Sequence, residues 1–100
     1  MKIVQIIPRA RNRVRLKALL KKTELELRDK KTTFIKISEG KWRHIRYPGW
    51  INWDDAGSGI VIAEIKTRNL DYEWQVLQAF IGYLDRNLGK HIESISIYFR

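Results

Sequence analysis

The sequence has no cysteine, two prolines and six glycines among 100 residues. Without cysteine there is no disulfide, no thiol nucleophile and no thiolate metal site, a usage that fits a reducing compartment. His44 and His91 are the two histidines, too few for a histidine cage around a metal. The longest unbroken apolar run is about four residues, far below the roughly 20 that a membrane helix needs. The opening MKIVQIIP is too short for a signal-peptide core, and basic rather than small residues follow it, so no leader is expected. Internal repeats, low-complexity tracts and a Pro/Gly/Ser linker are missing as well, so residues 1–100 are read as a single domain. There is no phosphate-binding glycine loop, dinucleotide fingerprint or Ser-His-Asp signature. These absences point away from an enzyme and call for neither cofactor nor metal. The expectation is a soluble, cytoplasmic, non-catalytic protein.

What is present is positive charge, unevenly spread. Lys and Arg number 20 against 11 Asp and Glu, for a net charge of +9. Residues 1–50 hold 15 of the basic and 4 of the acidic residues, and residues 51–100 hold 5 and 7. Such a domain favours acidic partners: RNA or DNA, another polyanion, or an acidic protein.

Residues 2–7, KIVQII, read as a strand that Pro8 ends. Residues 9–22 fit two periods. As a strand, Arg9, Arg11, Arg13, Arg15 and Lys17 share one face; as a helix, the stretch is basic nearly all round. The helix-forming run RLKALLKK, with Asn12 as a cap, favours a short helix over about 13–22. ELEL (24–27), FIKIS (34–38), KWRHIRY (41–47) and WINW (50–53) read as strands, and GIVIAEIKT (59–67) as a central one. Leu70, Trp74, Leu77, Ile81, Leu84 and Leu88 mark one face of a helix over about 70–88. Asn69 or Asp71 would cap its start, and Gly89 would end it in a left-handed conformation. IESISIYF (92–99) alternates as a last strand, which the returning helix would let lie parallel to a neighbour. The fold class is α+β: a mostly antiparallel sheet of about five to seven strands with its helices packed on one face.

The aromatic and basic residues coincide in KWRHIRYPGWINW (41–53). Single-stranded nucleic acid is held by such a mixture, cations tracking phosphates while flat rings stack on bases. The phosphate candidates are Arg9, Arg11, Arg13, Arg15, Lys17, Lys41, Arg43 and Arg46, and the stacking candidates are Trp42, Trp50 and Trp53. No RNP-type motif, zinc-finger ligand set or GXXG loop accompanies them. Self-association through the 92–99 strand is the competing reading, and a ligand pocket lined by tryptophans between helix and sheet is a third.

Asp54, Asp55, Glu64 and Lys66 form a pattern that resembles the D…(D/E)xK motif of the restriction-endonuclease-like nucleases. The resemblance implies carboxylates that hold Mg²⁺ and a lysine that assists the attacking water. If WINW and GIVIAEIKT pair as a hairpin, however, Glu64 is expected about five residues from the aspartates, roughly 17 Å away. One Mg²⁺ needs its oxygens at about 2.1 Å. Glu64 and Lys66 are therefore read first as a same-face surface pair.

Overall fold

The computed structural model describes residues 1–9, 15–28 and 33–100. Six strands form one fully antiparallel sheet: β1 (Lys2–Pro8), β2 (Phe34–Ser38), β3 (Lys41–His44), β4 (Gly49–Asp55), β5 (Val61–Thr67) and β6 (Ile92–Phe99). Their spatial order is β2-β3-β4-β5-β1-β6. Residues 34–67 are thus a meander in which each strand pairs with the next. The first strand then closes the sheet between β5 and β6. Two helices, α1 (Leu16–Glu24) and α2 (Glu73–Leu88), contribute to the same core.

Period-2 alternation explains which strand residues reach that core. Val4 and Ile6, Trp42 and His44, Ile51 and Trp53, and Val61, Ala63 and Ile65 are all buried, and each alternates with a more exposed neighbour. From α2 come Val76, Leu77, Phe80, Tyr83, Leu84 and Leu88, and from α1 Leu16 and Leu20. Phe34 and Trp42 meet Phe80 and Tyr83 edge-on or tilted, with ring centroids 5.2–6.4 Å apart. This geometry suits the ring quadrupoles.

Several expectations from the sequence are corrected. The ELEL stretch is no strand: Glu24 ends α1, and Leu25–Arg28 continue as a 3-10 helix. Glu24 is buried, and its Oε1 accepts from Gly40 N at 2.7 Å and from Trp42 Nε1 at 2.8 Å. This carboxylate ties α1 to the β2–β3 turn, a bond that alternation cannot reveal. Gly40 has φ +74°, and a Cβ there would lie 2.7 Å from the Trp53 carbonyl, so glycine is required on both counts. The strand expected over 41–47 stops at His44 because that imidazole folds back on its own chain. Its Nδ1 accepts from Arg46 N at 2.9 Å and Tyr47 N at 3.1 Å.

The α2 stripe is also rotated from the one expected. Leu70 lies in a 3-10 turn before the helix and is 73% exposed, and Trp74 is 49% exposed. Glu73 is buried instead. Burial raises its pKa, but the Lys2 ammonium at 2.5 Å and the terminal amine at 3.1 Å outweigh that and hold it below the usual carboxylate range. Asn69 does cap the entrance, accepting from Asp71 N at 3.0 Å. Gly89 does not terminate α2 in a left-handed conformation; its φ is −53°, and the chain runs on as a 3-10 turn into β6. β6 lies antiparallel to β1, not parallel to a neighbour. Among the described residues no helix is long and apolar enough to cross a membrane.

Candidate nucleic-acid interface on the open sheet face

The residues that alternate with the core positions form the other face of the sheet, and both helices bury their apolar side chains in the core on the opposite face. Strand register orders this open face into rungs. One rung runs Ile35, Arg43, Trp50, Lys66 across β2 to β5. The next runs Lys41, Asn52, Glu64, Ile3, Tyr98 across β3 to β6. A third runs Asp54, Ile62, Gln5, Ser96, with Tyr98 Oη donating to Gln5 Oε1 at 3.0 Å.

Trp50 is the centre of the first rung. Arg43 and Lys66 flank it on adjacent strands, and the Lys41 ammonium lies 5.7 Å from its ring centroid. Arg68, just past β5, lines the same shallow hollow of about 220 Å³ with Arg43, Trp50 and the exposed Ile37. The Lys66 ammonium is partly balanced by Glu64 at 3.4 Å, both side chains being nearly half exposed.

The tryptophans divide sharply. Trp50 is half-buried on the open face, whereas Trp42 is 0% and Trp53 5% exposed. Neither of those two indoles can stack on a base. A β-strand sends its odd and even residues to opposite faces, so of Trp42, Trp50 and Trp53 the first and last share the core side once the hairpin register is set. They also fill the helix–sheet space in which a ligand pocket was expected, packing edge-on at 6.1 Å.

The expected basic ridge does not assemble either. Arg9 lies at the far sheet edge, its Nε donating to the Ile92 carbonyl at 3.0 Å. Arg11 and Arg13 lie outside the described residues. Arg15 is exposed at the start of α1, and Lys17 on that helix pairs with Asp54 at 3.1 Å. Arg46 is exposed beyond β3 and close enough to His44 to add to the depression of its pKa, which burial chiefly causes. Lys41, Arg43 and Trp50 are therefore the expected site residues that the sheet brings together. Sequence reading missed Arg68 and placed Lys66 only in a same-face pair with Glu64, because membership of a rung depends on register across strands.

Four carboxylates gather near the β4–β5 tip of the sheet. Glu39, Asp54, Asp55 and Glu64 line a broad hollow of about 470 Å³. Asp54 stands opposite Ile62, so Glu64 is two positions away, about 7 Å along the strand. That is nearer than the spacing expected from the sequence. Even so, among the described residues no three His, Cys, Asp or Glu are grouped to hold a metal ion. Asp55 belongs by register to the opposite face, and its Oδ1 accepts from Gly57 N at 2.8 Å. The Asp55 N–H and the Lys17 ammonium hold Asp54 below the usual carboxylate range. Lys66 pairs with Glu64 at 3.4 Å, the same-face surface pair expected from the sequence. No family model, curated protein or solved structure matches the chain.

Proposed function

We propose that the open sheet face binds single-stranded nucleic acid along the rung Ile35–Arg43–Trp50–Lys66. The observation that carries the reading is the placing of one half-buried indole between cations on adjacent strands, with Lys41 over the ring and Arg68 at its border. A base would stack on Trp50 while Arg43, Lys66, Lys41 and Arg68 meet phosphates. This division of labour is how sequence-tolerant single-strand binding works. The carboxylates at the β4–β5 tip repel phosphate. They direct the strand across β2 to β5 along the cationic rung and away from Asp54.

Fluorescence anisotropy with labelled oligonucleotides tests this. With four phosphates contacted, log affinity falls by about 3 per tenfold rise in salt. Trp50→Ala weakens binding by about 1–3 kcal/mol if one base stacks there. Charge reversal at Arg43 and Lys66 together abolishes binding at moderate salt, while Lys22→Ala, on the exposed surface of α1, leaves it unchanged. Absence of binding to every oligonucleotide at low salt removes the reading. Binding that is indifferent to Trp50 reduces the function to general polyanion attachment.

A further inference from the structure

The outer edge of β6 is the strongest unused feature of the fold. β6 ends the strand order and pairs with β1 alone among the described residues. The ladder settles which of its backbone groups are engaged. Arg100 N donates to Met1 O at 3.0 Å, and the register runs from there in steps of two, so Ser94, Ser96 and Tyr98 bond toward β1. The N–H and C=O groups of Ile95, Ile97 and Phe99 therefore point outward, and a bulge between Ser94 and Ile92 interrupts the pattern at Glu93. Natural edges are usually protected by lysine, proline or a bulge. In a chain of net charge +9, Ser94–Phe99, beyond that bulge, carries no Lys, Arg, Pro or other charge.

We infer that β6 pairs antiparallel with β6 of a second copy, about a two-fold axis through Ser96 and perpendicular to the sheet. This register pairs Ile95 of each copy with Ile97 of the other and sets Phe99 beside Glu93 at the bulge. The helix-side rungs then continue across the junction. Ile6 and Ile95 of one copy meet Ile97 and Val4 of the other, joining residues that already pack on each core. Glu93 approaches the Phe99 ring, which has the Lys2 ammonium 5.4 Å from its centroid, so the charges that meet are of opposite sign. The cations of the open-face rung lie on β3 and β5, with β1 between them and the junction strand. The inference rests on the β6 edge and stands apart from the nucleic-acid reading.

Since the chain has no cysteine, single cysteines report the register. In this pairing Ser96 faces its own counterpart as a non-hydrogen-bonded pair with Cα atoms about 4.5 Å apart, within the disulfide range. Ser94 faces Tyr98, and the two Ser94 residues are about 13 Å apart. Under mild oxidation Ser96→Cys is expected to form the covalent dimer at least about tenfold faster than Ser94→Cys. The unmodified chain is expected to sediment as a concentration-dependent dimer, more readily at high salt, which screens repulsion between two basic copies. Ile97→Pro removes an outward donor without touching the β1 ladder and is expected to give a monomer. Ile95→Lys does the same through charge and serves if the proline variant fails to fold. Equal cross-linking of the two cysteines, or a monomer at every concentration in high salt, overturns the inference.

Discussion

Glu24 shows how much can depend on one side chain. Its single Oε1 satisfies two donors, the buried indole N–H of Trp42 and the amide of Gly40 at the turn. Glu24→Ala leaves both unpaired and is expected to cost about 2–6 kcal/mol in urea denaturation, since each buried orphan costs about 1–3. Glu24→Gln keeps a carbonyl oxygen in place and is expected to cost less than about half as much. His44 makes a similar double contact through Nδ1, which requires the neutral ring. Burial first and Arg46 second press its pKa below the ordinary histidine value. In the unfolded chain the ring takes up a proton near pH 6.5, whereas in the folded chain it does so only at lower pH. The contribution of His44 is therefore complete above about pH 6.5 and is lost as pH falls from there toward the folded value. Stability measured from pH 8 to pH 5 is expected to drop in the parent. His44→Asn, which can accept the same bonds without titrating, is expected to remove that part of the slope.

Among the elements, α2 separates what the sequence makes legible from what it hides. Its existence and extent follow from apolar spacing, but the spacing admits two neighbouring stripes. Starting from Leu70 selects the wrong one, because Leu70 and Trp74 lie on the solvent side while Glu73 turns inward to Lys2. Leu77→Ala, at a fully enclosed position, is expected to cost about 2–5 kcal/mol by thermal or urea unfolding. Trp74→Ala is expected to cost less than about 1 kcal/mol despite the larger group removed. The strands β2 to β6 were legible from period-2 alternation and turn residues. ELEL was not, since four alternating residues fit a helix end as well, and the donors that hold Glu24 come from 16 and 18 positions away. The same limit applies to the candidate site. Lys41, Arg43 and Trp50 stand out by type, but their union with Lys66 and Arg68 exists only once β4 is registered against β5.

At the scale of the whole molecule, the sheet joins two kinds of pairing. The β2–β5 meander closes over short distances, while β1 draws on residues about 60 and 90 positions away for its two neighbours. Contacts of that separation are slow to form because the loop between them must be closed first. The meander is thus expected to form ahead of β1. In stopped-flow refolding, Ile51→Ala in β4 should slow folding. Val4→Ala in β1 should instead speed unfolding while leaving the folding rate nearly unchanged. Equal φ-values at the two sites would contradict this order. The arrangement also bears on biosynthesis. Translation proceeds at about 5–20 residues per second, so β1 waits seconds for β6 before both its edges are covered. During that interval the apolar ribbon KIVQII keeps an edge open to other chains.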